Sequence, residues 1–299
     1  MARVESSRRV EVARPTNLGD RESRDAMKEQ PRASGVARGR GIILKSAREI
    51  ELMRASGRVV HRVLQRMGEM VAPGVTTGEL NQEAENLIAA ADAKALFRGV
   101  EHPQAKFPFP AALCISVNEQ LVHGIPGDRR LCKGDVVSID CGVRLQGYCA
   151  DSATTLPVGE PGTDAGRLLE VTKDSLSLAI SLMKPGKRWS EVARQVQRFV
   201  ESAGMSVVRD FVGHGIGRDM HEEPKVPNYH DSKQAKSDFE LVPGLVLAVE
   251  PMVNLGGSAV RYGSDDGWVV VTRDGQYAAH FEHTVAVVAN GVDVLTDGR

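Results

Sequence analysis

Val136-Val137-Ser138-Ile139-Asp140 is a short run of strand-forming residues that ends on a carboxylate. A shift of 110 positions brings it onto Val246-Leu247-Ala248-Val249-Glu250, the same pattern with Glu for Asp. The segments upstream match as well. Pro73-Gly74 falls on Pro185-Gly186 after a shift of 112, which also carries Glu79 onto Glu191 and Leu80 onto Val192. Before the first Pro-Gly, Ser46-Ala47-Arg48-Glu49 has the form of a capping box. Ile50, Met53, Gly57, Val60, Leu64, Met67 and Val71 then recur at steps of three and four, which predicts one long amphipathic helix. Thr76-x-x-Glu79 caps a second helix carrying Leu80, Ala84, Leu87 and Ala91. The later half repeats the order, with a helix around Leu168–Met183, the Pro185-Gly186 break, and a helix carrying Val192, Val196, Phe199 and Val200. Two nearly equal shifts predict a helix-helix-strand unit used twice. The fold class that follows is α/β (α+β), a largely antiparallel sheet with helices on one face and a pseudo-twofold axis between the halves. A site on that axis receives an acidic strand end from each half.

Composition narrows the classes. The chain has 299 residues, a formal net charge of −1 and 41 % hydrophobic residues, the profile of a globular protein with a sizeable core. No run of about 18 apolar residues is present, so no membrane partner is expected. Cys114, Cys132, Cys141 and Cys149 show no C-x-x-C spacing, and the first residues hold no secretory apolar core. The expectation is reduced thiols and a cytoplasmic location. The near-neutral charge conceals a division. Residues 1–40 hold ten basic and six acidic residues, a net of +4 that leaves −5 for 41–299. That segment has no aromatic residue, no Ile and only Leu18 as leucine, so it predicts a disordered basic tail ahead of a single domain at 41–299. The tail reads either as a solvated extension or as an arm for an anionic partner such as ribosomal RNA, through a transient ribosome contact.

Metal-type ligands gather at the expected axis. Asp140 and Asp151 flank a short segment containing Gly142 and Gly147. A hairpin turning at Leu145-Gln146 sets Asp140 directly opposite Asp151, on one face, where two carboxylates repel unless a cation lies between them. Any single pair of this kind is ordinarily two solvated aspartates, but here the flanking residues are apolar. Phe211-Val-Gly-His214-Gly-Ile-Gly217 then places a histidine among glycines, whose missing side chains leave room for a substrate or metal against the backbone. Met220-His221-Glu222-Glu223-Pro224 follows, and His123-Gly124-Ile125-Pro126 precedes Asp140. Glu250 and Glu282 both interrupt sequence that reads as core, with no lysine or arginine beside either. An ionised carboxylate there is costly unless neutralised, and a metal fits better than an ion pair.

At these residues the sequence resembles the methionine aminopeptidases of type I, over nearly all of 43–297. The stretch Phe211–Tyr229, FVGHGIGRDMHEEPKVPNY, matches the type I pattern, as does Cys114-Ile-Ser-Val-Asn118 followed by His123-Gly-Ile-Pro126. The family's ligand order of Asp, Asp, His, Glu, Glu lands on Asp140, Asp151, His214, Glu250 and Glu282. The resemblance implies the pita-bread fold and a monomer. It also implies two divalent ions (Co, Mn, Fe or Zn), with Asp140 on one, His214 and Glu250 on the other, and Asp151 and Glu282 bridging. Its implied activity is removal of the N-terminal methionine from nascent polypeptides with a small second residue, a metal-bridged water attacking the Met carbonyl. His221 then stabilises the oxyanion, Glu250 shuttles a proton, and His123 bonds the scissile nitrogen or its leaving amine. The same resemblance makes Cys114, Met220 and Trp268 walls of the methionine pocket, with Phe107 or Phe109 beside them. Each of these taken singly fits ordinary core packing equally well.

Three related readings compete. Prolidase and aminopeptidase P share the fold and ligand set but usually carry a large N-terminal domain, where this chain offers a polar tail. Type II methionine aminopeptidases carry a helical insertion after the second histidine, and positions 222–249 leave no room for one. A pita-bread protein that binds RNA or protein without catalysis is expected to have lost ligands, and none is substituted here.

Overall fold

The computed structural model describes residues 41–231 and 237–299. The expected tail at 1–40 lies outside the described residues. Among the described residues four helices form where the apolar periodicity places them: α1 (Ala47–Met70), α2 (Thr77–Ala90), α3 (Thr163–Leu182) and α4 (Trp189–Ser202). Ser46 and Thr76 complete reciprocal capping boxes with Glu49 and Glu79. In the second half Gly162 and Arg188 occupy the N-cap positions and give no side-chain cap. Asp238 compensates at α4, accepting from the Ser190 amide at 3.0 Å.

The strands before α3 are β1 (Lys94–Ala95), β2 (Leu113–Val117), β3 (Gln120–Val122), β4 (Val136–Leu145) and β5 (Tyr148–Pro157). Those after α4 are β6 (Ser206–Val207), β7 (Gly213–Gly215), β8 (Glu222–Val226), β9 (Val246–Val249) and β10 (Met252–Asn254). They continue with β11 (Val260–Tyr262), β12 (Val270–Thr272), β13 (Ala278–His280), β14 (His283–Val288) and β15 (Gly291–Val294). One main sheet runs β1-β4-β2 with β5 on the open side of β4, and the other runs β15-β14-β9-β7-β8. All their pairings are antiparallel. The trio β2–β4–β5 therefore corresponds to β7–β9–β14.

The duplication reaches individual hydrogen bonds. Gly74 and Gly186 both adopt positive φ, and their amides donate at 2.8 Å to Leu131 and Leu241 respectively. Gly134 and Gly244, which lead into β4 and β9, have φ of +93° and +94°. These turns need a left-handed residue, and glycine supplies it without steric cost. Each half buries its own helix–sheet core. Val60, Val63, Met67 and Leu80 pack on Ile115 and Ile139 in the first, and Leu176, Trp189, Val192 and Val196 pack on Leu247 and Val285 in the second.

The halves join along β5 and β14. Thr284 Oγ1 accepts from the Asp151 amide at 3.0 Å and donates to the Asp151 carbonyl at 2.8 Å. The Glu282 amide donates to the Ala153 carbonyl at 2.9 Å. This seam brings Asp151 and Glu282, far apart in sequence, to one place.

One expected register is corrected. The β4–β5 hairpin turns at Gln146-Gly147, both with positive φ, the requirement of a type I′ turn. Its true partners are Asp140↔Ala153 and Gly142↔Asp151, so the two aspartates are diagonal neighbours and not directly opposed. The register differs from expectation by two positions, an even number, and side-chain alternation keeps both carboxyls on one face.

Candidate metal centre

The five acidic and histidine positions converge between the two sheets. Asp151 (4 % exposed), His214, Glu250 and Glu282 are buried, and Asp140 is half-buried with its Oδ1 enclosed. Donor atoms of Asp151, His214 and Glu282 all lie within 4.8 Å of one another, the spacing of ligands around one cation. Asp140 adjoins Asp151 within hydrogen-bonding reach, and His214 Nε2 stands 3.6 Å from Glu250 Oε1. Asp140 Oδ1, Asp151 Oδ1 and Glu282 Oε1 have no hydrogen-bond partner among the described residues, where no lysine or arginine pairs with any of the five.

Four carboxyls in so small a dry space cannot all ionise unaided. Burial, reinforced by the charges of Asp151 and Glu250, pushes Asp140 and Glu282 well above the carboxylate range. Burial likewise raises Glu250 to about 8, against the lowering pull of His214, and Asp151 to about 6. A divalent cation resolves both the repulsion and the orphaned oxygens, and oxygen-rich donors with an imidazole are the chemistry such ions take. The residues fit a metal.

The glycines around His214 have a role different from the one expected. A Cβ on Gly213 would lie 2.3 Å from the Ala248 carbonyl oxygen, and one on Gly215 2.3 Å from that of Glu223. The chain's own sheet, β9 and β8, occupies the room that a ligand was expected to use. His123 sits at φ +59° before Gly124, whose Cβ would meet the Ile115 carbonyl at 2.1 Å. That close approach presses the loop onto β2 and turns His123 toward the site. His123 and His221 line the same cavity as the five, and the His221 ring is 4.3 Å from that of His214. Burial lowers His123 to about 4 and His221 well below its usual value, so both rings are neutral near pH 7. The Nδ1 of His221 has no partner among the described residues.

Beside the acidic group lies an apolar pocket. Phe109, Cys114, Met220 and Trp268 cluster there with Phe97 and Ala111, and the Phe109 and Trp268 rings meet edge-on at 5.2 Å. Phe107 does not join them. Its side chain is 43 % exposed, and only its carbonyl takes part, accepting from Trp268 Nε1 at 2.9 Å. The whole cavity offers about 70 Å³ to water centres, space for several waters.

Among the cavity residues absent from the sequence reading are Phe97 and His280. Phe97 belongs to no periodic segment, so nothing local signalled it. His280 did carry a signal, since it stands two residues before Glu282 in extended sequence and such residues share a face. The residue is 2 % exposed, and burial lowers its ring to about 4.

A buried acidic centre between two pseudo-symmetric halves, with neutral histidines and an apolar pocket, is the arrangement of a metallopeptidase. Residues 51–289 match the model of metallopeptidase family M24. The methionine aminopeptidase of Clostridium perfringens is 46 % identical over 255 residues, 85 % of this chain and 98 % of that protein. Methionine aminopeptidase 1 of Bacillus subtilis is 45 % identical, over 85 % and 99 % of the two chains. Among solved structures, the methionine aminopeptidase of Thermotoga maritima superposes with a TM-score of 0.80 at 38 % identity, covering 86 % and 99 %. The prolidase of Pyrococcus furiosus shares the fold, with a TM-score of 0.65, 22 % identity and 66 % of its own length covered. The chain belongs to metallopeptidase family M24, in its methionine aminopeptidase branch.

Proposed function

We propose that this chain removes the N-terminal methionine from nascent proteins and peptides whose second residue is small. The observation that carries the reading is the apolar pocket of Phe97, Phe109, Cys114, Met220 and Trp268 set directly against the acidic centre. Asp140, Asp151, His214, Glu250 and Glu282 would hold two divalent ions of the Mn, Fe, Co or Zn kind. Those ions supply a Lewis acid and a water ionised near neutral pH when bound.

The chain's own groups do the rest. The pocket takes the methionine side chain, and its walls set how far the substrate enters. Neutral His221 holds the carbonyl oxygen as charge develops on it. Glu250, ionised when it holds an ion, accepts a proton and passes it to the leaving nitrogen, which His123 orients. Residues 41–299 make up the catalytic unit, a cytoplasmic monomer, while 1–40 is a basic tail available for transient contact with the ribosome.

A peptide panel tests the reading. Met-Ala-Ser should release free methionine, while Met-Leu-Ser and Ala-Pro-Ser should remain intact. A hydrophobic pocket separates side chains one methylene apart by only about 1–3 kcal/mol, so rejection of leucine at the second position has to be steric. Cleavage of Ala-Pro-Ser without methionine release would move the assignment to the X-Pro peptidases that share the fold.

His221→Ala should lower kcat on Met-Ala-Ser by roughly 10²–10³-fold, the cost of removing one oxyanion donor. Metal content by elemental analysis should stay at the wild-type value. Loss of metal in this variant would make His221 part of the ion-holding set.

A further inference from the structure

His280 ends β13, where it pairs with Met252 of β10. Its amide donates to Thr155 Oγ1 at 2.9 Å, and its carbonyl accepts from that hydroxyl at 2.7 Å. This clamp fixes the backbone and leaves the buried ring lining the central cavity. Nε2 of His280 lies 3.5 Å from Glu250 Oε2 and has no hydrogen-bond partner among the described residues. On the other side of the same carboxyl, Oε1 faces His214 Nε2 at 3.6 Å. Glu250 is bracketed by two imidazoles, one for each oxygen.

The two contacts differ in kind. His214 belongs with Asp151 and Glu282 to the group whose donor atoms lie within one ion's spacing, and His280 does not. His280 Nε2, 3.5 Å from Oε2, is left with a ring N–H to offer the outer oxygen of Glu250. A buried polar nitrogen without a partner is costly, so closing the gap to hydrogen-bond length is favourable. With Glu250 ionised, that bond is charge-assisted and stronger.

We propose that His280 is a positioning residue whose Nε2–H holds the outer oxygen of Glu250, keeping the inner oxygen turned toward the ion shared with His214. The proposal rests on the metal centre described above. Removing a group that orients a ligand typically costs about 10–100-fold in metal affinity or activity.

The test compares the full-length wild type, His280→Gln, His280→Met and His280→Leu. Each is stripped with chelator and titrated with Mn²⁺ by calorimetry, and kcat and KM are then measured on Met-Ala-Ser. Gln keeps an N–H donor at similar reach, whereas Met and Leu fill the space without one. The donor-less variants should bind Mn²⁺ about 10–100-fold more weakly and lose kcat more than KM, and Gln should rescue most of both. Wild-type affinity in a folded Met or Leu variant overturns the proposal, as does a Gln variant as weak as they are. The folding of each is checked by its metal-free thermal transition. Should neither donor-less variant fold, weakened Mn²⁺ binding by Gln alone overturns the proposal, and retained binding supports it. A stripped wild-type chain that takes up no Mn²⁺ would instead overturn the metal centre itself.

Discussion

Asp151→Asn should abolish methionine release, by on the order of 10³–10⁴-fold, the scale seen when one member of a catalytic unit is lost. Asp151 sits where the halves join, and its charge acts on Asp140, Glu250 and Glu282 alike. Its amide and carbonyl are both held by Thr284 Oγ1, so changing the side chain leaves the main-chain seam intact. The substitution removes one of four mutually repelling carboxyls, and the metal-free variant should be no less stable than the metal-free wild type. What it should lose is the stabilisation added by metal. At a free cation concentration 100 times Kd that stabilisation is about 2.7 kcal/mol, or roughly 5–10 °C in Tm for a domain of this size. Thermal unfolding of both proteins with and without Mn²⁺ measures it. A full Mn²⁺ shift in Asp151→Asn would remove Asp151 from the ligand set.

Stability without metal should fall as pH rises from about 6.5 to 8, and excess divalent cation should remove that fall. Glu250 is raised to about 8 in the folded chain, so between its ordinary value of 4.5 and 8 the folded state binds more protons than the unfolded one. Its contribution is present below pH 4.5 and is lost as pH climbs through 8. Asp140 and Glu282, also raised, act in the same direction. Asp151, raised to about 6, has mostly titrated by pH 6.5 and adds little to the fall. His123, His221, His280 and His283 are lowered and act oppositely, stabilising the fold as pH rises toward 6.5. The unfolded histidines are still half-protonated at 6.5 and oppose part of the fall until about pH 7.5, above which the carboxyls act alone. At about 1.4 kcal/mol per unit, Glu250 by itself is worth on the order of 2 kcal/mol over that window. Cations require ionised ligands, so protons compete less as pH rises and the Mn²⁺-induced shift in Tm should widen from pH 6.5 to 8. A shift that narrows over this range contradicts the account.

The features that could be read along the chain are those with local causes. Helices α1 and α2 announced themselves through capping boxes and a three-four apolar rhythm, and the duplicated Pro-Gly breaks gave the two halves. Asp140, Glu250 and Glu282 stood out as charges where the surrounding residues demand burial. Chemistry set by distant partners was harder to see. The Gln146-Gly147 turn moved the hairpin register by two, because positive φ at both turn positions favours the pair that includes glycine. The glycines beside His214 answer to backbone neighbours in β8 and β9 that no local pattern reveals. The short strands β10–β13 are three residues each, too brief for periodicity to mark, and one of them delivers His280. Phe97 reaches the pocket through tertiary packing alone, while Phe107, two positions before Phe109, is exposed although strand alternation would set both on one face, because 107–109 lies in no strand.

The most direct measurement is release of free methionine from Met-Ala-Ser by the full chain, first stripped of metal with a chelator and then reloaded with Mn²⁺ or Co²⁺. The stripped chain should release none, and reloading should restore turnover while Met-Leu-Ser stays uncut. Undiminished release by the stripped chain, or a reloaded chain that frees no methionine, would contradict the assignment of a metal-dependent methionine aminopeptidase.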